Sequence, residues 1–257
     1  MHVEDPRFPP LLTGYGIKAP LSPFDAACQG ADTGDYGAAD LLWARNTSRV
    51  ALALVLEPEV VRPIALQMVA LFELAVIEAV GALMPPKTSV LLRWPLELLV
   101  NGGVAGRFRF AVSPCREESV PDWMVVGVEI ELSGEAGAAA EPGEARDLTT
   151  LLEEGAGCHT RSDFLEVISA YALSWINAWQ DGGQATFAES WVGRVEGHED
   201  AALLAFAGGN GEPVKARVLG LDDEARLLIK VGEGDVRALA IEELLEVTRS
   251  SPRTETA

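Results

Sequence analysis

Apolar residues along the chain group into short continuous runs, which are typical of strands buried on both faces of a sheet. Runs bounded by proline or turn residues predict strands at 49–58, 88–92 and 123–132. Residues 97–112 are predicted to form a β-hairpin, because an Asn-Gly pair at 101–102 separates two apolar stretches and accepts the positive φ angles of a tight turn. Together these segments predict one sheet.

A long helix is predicted at 61–82, where the residues are apolar on nearly all sides. A membrane span is the alternative for this segment. Gln67, Glu73 and Glu78 would each be expensive inside a bilayer, so a helix buried in a protein core is the better interpretation.

A second long helix is predicted after Thr160, where apolar residues recur at three- and four-residue steps up to Trp179. Thr160 and Asp163 form a capping-box pattern, and Gly182-Gly183 supplies a stop. The apolar stripe of this helix predicts core packing. A short helix is also predicted at 24–30.

The pattern changes near residue 190, where four short strands are predicted at 201–206, 213–221, 226–231 and 236–244. Short strands with tight turns predict a small all-β unit, a barrel. We therefore divide the chain into a first domain at 1–189, a small β-barrel domain at 190–248 and a disordered tail at 249–257. The proline-rich residues 1–23 are predicted to lie extended on the surface, and 133–147 to form a mobile insertion.

The charge balance restricts the partners. The chain has 39 acidic and 20 basic residues, a formal net charge of −19, so its surface repels nucleic-acid phosphates and anionic membranes. We expect neither as a partner. The three cysteines are widely spaced and form no C-x-x-C pair, and the first residues lack the parts of a signal peptide. These features predict a cytoplasmic protein.

General catalytic motifs are missing from the sequence. It contains no Walker phosphate loop, no G-x-S-x-G nucleophile elbow, no H-E-x-x-H and no paired-cysteine metal site. Cys158 and His159 are neighbours ahead of a helix, but adjacent residues rarely form a catalytic dyad, which favours a structural role. No metal site is predicted.

The hairpin carries the strongest signal. The segment RWPLELLVNGGVAGRFRF at 93–110 resembles the signature of biotin–protein ligases, K-W-P-N-D-[LIV]-[LY]-[LV]-N-x-K-[KR]-[ILV]-A-G. The matching parts stand in the same order: Trp94-Pro95, Leu98 to Asn101 and Val104 to Gly106.

Flanking segments extend this resemblance in chain order from about residue 24 to 245. DYGAADLLW at 35–43 stands where the ligases have an arginine-rich loop that ends in tryptophan. MVVGVEIEL at 124–132 is similar to a ligase strand, and VKARVLGLDDEARLLIK at 214–230 is similar to the β-barrel that ends many ligases. The chain thus resembles the biotin/lipoate–protein ligases, in a divergent bacterial branch. This implies an α+β fold with a mixed sheet and packed helices, followed by a small C-terminal β-barrel domain.

The resemblance also implies an activity. Such ligases use ATP, with Mg²⁺, to activate the carboxylate of biotin, lipoate or a similar acid as an acyl-adenylate, and then transfer it to a lysine of a carrier domain. A small carboxylate and a biotinyl or lipoyl carrier domain are therefore the implied partners. The implied substrate-binding positions are Gly37, Trp43, Arg45, Arg93, Trp94, Glu97, Asn101, Ala105, Gly106, Gly127, Glu129 and Glu131.

The residues that would perform this chemistry depart from the ligase pattern. Tyr36, Ala38 and Leu41 replace the loop arginines, and the catalytic lysine position after the hairpin turn is Gly103. Glu129 and Glu131 replace a small residue and an amide. Positive charge could come instead from arginines at 45, 49, 93, 107 and 109, although a solvated strand face also explains the last two.

Three hypotheses follow from this mixture. The first is an acyl–carrier ligase or a related acyltransferase whose key positions have changed. The second is an inactive ligase-fold protein that binds a small carboxylate or a carrier domain. The third is an interaction role for the C-terminal barrel.

Overall fold

The main sheet has seven strands in the computed structural model, which describes residues 5–134, 148–204 and 214–242. In chain order they are β1 (Thr13–Ile17), β2 (Asp40–Ala44), β3 (Arg49–Leu56), β4 (Val90–Arg93), β5 (Glu97–Val100), β6 (Gly103–Val112) and β7 (Met124–Glu131). Their spatial order is β1-β2-β3-β7-β6-β5-β4, with β1 parallel to β2 and the other neighbours antiparallel. The predicted hairpin and the three predicted strands are confirmed to within a few residues.

Each face of this sheet is covered by different helices, because side chains alternate along a strand. On one side, called here the helix face, Leu52 and Leu54 of β3 join the main core with α3 (Gln67–Leu83) and α4 (Arg161–Gly182). On the other side, called the α1 face, Ala53 and Val55 pack with α1 (Pro23–Thr33). The fold is therefore a mixed α+β fold with packed helices, as the resemblance implied.

The long apolar helix is a core helix broken at Leu66 into α2 (Arg62–Ala65) and α3. It is long and apolar enough to cross a membrane, but 83% of its most apolar window is buried inside the protein. Indole N–H groups donate to its polar side chains: Trp175 to Glu78 at 2.8 Å, Trp179 to Gln67 at 2.7 Å and Trp191 to Glu73 at 3.0 Å. These partners make the three polar residues compatible with a protein core.

α4 begins and ends where its sequence predicts. Thr160 and Asp163 cap each other reciprocally, and Gly183 follows the last residue with φ 66°. Phe164, Leu165 and Ile168 are completely buried, so the predicted core stripe is confirmed.

The N-terminal region differs from its prediction. Residues 13–17 were predicted to lie extended on the surface, but they form β1 at the edge of the main sheet. Residues 40–44 form β2, which the sequence pattern does not separate from the preceding loop. α1 also runs three residues beyond the predicted end at 30, closing at Gly34 with φ 79°.

A second, smaller sheet follows a short helix α5 (Ala188–Val192). Its strands β8 (Ala202–Leu204), β9 (Val214–Leu221), β10 (Leu227–Val231) and β11 (Asp235–Leu239) pair antiparallel in the order β11-β10-β9-β8. The small C-terminal β unit is thus present. The predicted insertion at 133–147 and the tail at 249–257 lie almost entirely outside the described residues.

Candidate functional site

The exposed tip of the hairpin is held by hydrogen bonds of one side chain. Asn101 and Gly102 take positive φ angles of 49° and 90°, as the turn requires. The Asn101 side chain accepts the Ser89 backbone N–H at 3.0 Å and donates to Glu154 at 2.6 Å, so it braces the turn. At Gly103, where the ligases have their lysine, a Cβ would lie 2.9 Å from Thr149 Cγ2. Thr149 therefore covers the position at which a lysine was expected.

The predicted site residues divide between the two faces of the sheet. Gly127, Glu129 and Glu131 of β7 stand on the α1 face, where Arg107 lies opposite Glu129 and also opposite Glu97. Trp43, Trp94 and Ala105 belong instead to the buried core of the helix face, at 3%, 3% and 1% exposure. The sheet itself separates these two groups.

Gly106 has a different role from either group. A Cβ on this residue would lie 2.6 Å from the Glu129 carbonyl oxygen, a backbone atom. Gly106 is therefore needed for the close pairing of β6 with β7.

Arg109 is the centre of a charged cluster on the α1 face. Its guanidinium donates to Asp25 Oδ1 at 2.8 Å, lies 3.8 Å from Glu129 Oε1 and stacks 4.2 Å above the Phe24 ring. The hydrogen bond from Arg109, followed by that from Ser22, lowers the pKa of Asp25. Arg109 therefore clamps the first turn of α1 onto β6 and β7.

The other arginines of this face also have carboxylate partners. Arg107 bonds Glu97 at 3.1 Å and Arg49 bonds Glu131 at 2.7 Å. Arg93 lies 3.9 Å from Glu97 and 2.9 Å from Glu196. We call this set the ion-pair face; its members are Asp25, Arg49, Arg93, Glu97, Arg107, Arg109, Glu129 and Glu131.

Phe24 fills the middle of the ion-pair face. Its ring lies against Gly127, where a Cβ would come within 2.9 Å of Phe24 Cδ2 and 3.0 Å of the Leu52 carbonyl oxygen. Phe24 is 7% exposed and packs with Ala53 and Val125. The small residues of β3 and β7 thus hold an aromatic side chain of the same protein.

Trp43 and Arg45 form a separate cluster on the helix face. The guanidinium carbons of Arg45 and Arg161 lie over the Trp43 ring, at 5.1 and 4.8 Å from its centre. Arg161 is 3% exposed and donates to the Arg45 carbonyl oxygen at 2.9 Å, while burial lowers the pKa of its guanidinium. Arg161 therefore joins the start of α4 to the end of β2.

The loop that replaces the arginine-rich ligase segment contains no cation. Leu41 is buried in the core of the helix face, and the Tyr36 ring packs 5.0 Å from the Tyr15 ring. The Gly37 N–H donates to the Asp40 carboxylate at 2.9 Å, and the same carboxylate raises the pKa of Tyr15. The second half of this segment, from Asp40 onward, is part of strand β2.

The described residues offer a poor fit for ATP and Mg²⁺. They contain no group of three or more potential metal ligands. A triphosphate needs an excess of positive charge, whereas the ion-pair face sets four acidic residues against four arginines.

Sequence reasoning missed four residues that define this region: Phe24, Asp25, Thr149 and Arg161. For Asp25 there was a signal, because Ser22 and Asp25 fit the N-cap pattern that the structure shows. For the others no local signal exists, because their contacts are distant in the chain: Thr149 meets Gly103, Phe24 meets Gly127 and Arg161 meets Trp43.

Comparisons with known proteins agree on the class of protein. The family model for the biotin/lipoate A/B protein ligase family matches residues 8–193. A biotin–[acetyl-CoA-carboxylase] ligase of Paracoccus denitrificans is 26% identical over 199 residues, which are 73% of this chain and 76% of that protein.

Solved structures show the same likeness. A biotin protein ligase-like protein of unknown function from Silicibacter sp. TM1040 is 32% identical and superposes with a TM-score of 0.79, covering 93% of this chain and 98% of the other. The biotin protein ligase of Aquifex aeolicus in complex with biotin and ATP superposes with a TM-score of 0.66 over 88% of this chain and 94% of the other. At 17% identity this second likeness concerns the fold.

Proposed function

Because the chain belongs to the biotin/lipoate A/B protein ligase family, we propose that it binds a small carboxylic acid, free or attached to a carrier domain, without activating it through ATP. The observation that carries this proposal is the ion-pair face. Its arginines are already paired with carboxylates of the same chain, and Gly103 beneath Thr149 replaces the expected lysine.

Electrostatics distinguishes a single carboxylate from a triphosphate. Adenylation develops several negative charges at phosphate, which preorganised positive groups must offset. Binding one carboxylate needs only one well-placed arginine. Arg107 suits this role, because its side chain is 70% exposed and forms an ion pair with Glu97 at 3.1 Å. An exposed ion pair of this kind is weak, so a ligand carboxylate can replace Glu97 as the partner of Arg107.

Calorimetric titration tests the binding proposal with biotin, lipoate, octanoate and the acylated carrier domains. We expect at least one of these to bind, and Arg107→Gln to weaken that binding by about tenfold or more, because a charge-assisted hydrogen bond contributes about 1.5–3 kcal/mol. Arg237→Gln is the matched control, since Arg237 also pairs with a carboxylate, Asp235, but lies on the second sheet. Equal effects of the two substitutions, or no binding of any ligand, would refute the proposal.

ATP-dependent acyl transfer is the second candidate, and the exposure of the ion pairs favours it. The Arg49 and Glu131 side chains are 50% and 42% exposed. Exposed pairs of this kind contribute about 0–1 kcal/mol, so a phosphate group could take over their arginines.

Pyrophosphate exchange separates the two candidates. With biotin, lipoate or octanoate and radioactive pyrophosphate, we expect no label in ATP above the level seen without acid. Exchange with any of the three acids would establish adenylation and replace our proposal with the second candidate.

A further inference from the structure

A large cavity lies on the helix face, away from the ion-pair face. Its volume is about 820 Å³, it opens to solvent, and it is lined by the end of β3, the start of α3 and the second half of α4. The exposed residues of its lining, Ala38, Glu57, Glu59 and Gln180, mark its mouth. Cavities of about 300–1,000 Å³ are the usual size for small-molecule sites.

The walls of this cavity are apolar. They are formed chiefly by Leu54, Ile64, Met68, Leu173, Ile176 and Trp179. Burying the carbon skeleton of a ligand here would contribute about 25 cal/mol per Å² of apolar surface removed from water. The cavity is therefore suited to a ligand with an apolar body.

The inner polar groups of the cavity are held by the protein itself. Gln67, 4% exposed, donates to Gln184 Oε1 at 3.0 Å and to the Asp223 carbonyl oxygen at 2.9 Å. Its own carbonyl oxygen accepts the Trp179 indole N–H at 2.7 Å. These bonds fix the inner wall, so the cavity is formed before a ligand arrives.

The charge of the lining selects the ligand. The only ionisable side chains among the described residues of this lining are two carboxylates, Glu57 and Glu59, and both are exposed at the mouth. A negatively charged ligand would find no counterion here. A positive group at the mouth would gain from both carboxylates.

We propose that this cavity binds a hydrophobic amine, with its apolar body between α3 and α4 and its ammonium group at Glu57 and Glu59. This ligand class differs in charge from the carboxylic acid proposed for the ion-pair face. The two sites are on opposite sides of the main sheet, so each can be tested without the other.

Three ligands with the same carbon chain test the proposal: n-hexylamine, 1-hexanol and hexanoate, titrated calorimetrically into the full chain. We expect the amine to bind most tightly and hexanoate most weakly. The double substitution Glu57→Gln with Glu59→Gln should weaken amine binding about fivefold and leave hexanol binding unchanged.

Two further variants make the test decisive. Glu117→Gln with Glu118→Gln removes two exposed carboxylates that do not line the cavity and should change nothing. Ile176→Trp narrows the apolar part of the cavity and should weaken binding of all three ligands, with circular dichroism as the check that the protein folds. The proposal fails if none of the three ligands binds, if hexanoate binds as tightly as hexylamine, or if the two glutamate pairs have equal effects.

Discussion

Glu73 of α3 has a carboxyl group that is buried in the hydrophobic core. It is 1% exposed; Oε2 accepts the Trp191 indole N–H at 3.0 Å, and Oε1 has no hydrogen-bond partner among the described residues. A cavity of about 10 Å³ adjoins it, lined also by Trp94, Leu221 and Ile241. Burial raises the pKa of Glu73 well above its usual value, because the charged form loses its hydration.

The burial of Glu73 predicts how the free energy of unfolding changes with pH. The pKa of Glu73 is higher in the folded protein than in the unfolded chain, where it is near the ordinary value of 4.5. The stability that neutral Glu73 contributes is therefore fully present below the unfolded pKa, and it is lost as pH rises through the folded pKa. Glu73→Gln keeps the shape and removes the titration. Urea unfolding should therefore show the substituted protein gaining stability relative to the native one as pH rises above 4.5.

Glu117→Gln, at an exposed position, is the control for this prediction and should leave the pH profile unchanged. A native protein and a Glu73→Gln variant with parallel pH profiles would show that Glu73 stays charged in the fold.

At the residue scale, the sequence identified the polar positions of this helix but not their partners. Gln67, Glu73 and Glu78 were evidence against a membrane span because they are polar in an apolar run. The tryptophans that satisfy them lie between 97 and 118 positions further along the chain. Such pairing depends on how α3 packs with α4 and α5, which no local pattern encodes.

α4 offers a test at the scale of one element. Its capping box joins Thr160 Oγ1 to the Asp163 N–H at 3.3 Å and Asp163 Oδ2 to the Thr160 N–H at 2.6 Å. Thr160→Ala should reduce the free energy of unfolding by about 1 kcal/mol, because the Asp163 backbone N–H loses its acceptor. Thermal and urea unfolding measure this loss.

The control for the cap is Ser174→Ala, an exposed position in the middle of the same helix. We expect it to change stability by less than about 0.5 kcal/mol. If both substitutions have the same small effect, the cap does not stabilise the helix measurably.

Elements with strong local signals were predicted correctly, and those built by distant contacts were not. The hairpin and α4 have turn and cap residues that act within a few positions. β1 has two glycines in five residues, a composition that disfavours strands. Those glycines leave room for the side chains of Phe8 and Arg45, which pack against the strand. A Cβ at Gly14 would lie 2.4 Å from the Phe8 ring, and one at Gly16 would lie 2.6 Å from Arg45.

In the candidate site, too, positions with a local signal were predicted and distant contacts were not. Family resemblance indicated the correct strands for Glu97, Gly127, Glu129 and Glu131, and period-two alternation placed Arg107 and Arg109 on one face. It could not indicate that Phe24 covers Gly127 or that Trp43 lies across the sheet from Glu129, since these depend on the packing of helices.

At the scale of the whole molecule, the second sheet shares its core with the first. Val218, Ile229 and Ile241 are buried in the same hydrophobic cluster as α3 and the main sheet. Gln67 of α3 also donates to the Asp223 carbonyl oxygen at 2.9 Å, and Arg62 of α2 forms an ion pair with Glu242. The division into domains at residue 190 remains a prediction. Because the two sheets share a core, the test is whether they unfold together or separately.

Ile229→Ala tests whether the two sheets unfold together. Ile229 is completely buried in β10, so its truncation should cost about 2–5 kcal/mol. If the core is one cooperative unit, native-state hydrogen exchange should speed up equally in β9–β10 and in β3–β7. Leu219→Ala, 44% exposed on β9, is the matched control and should have little effect on either sheet. Faster exchange confined to the second sheet would instead establish the small C-terminal domain as an independent unit, because a local loss of stability would then fail to reach the main sheet.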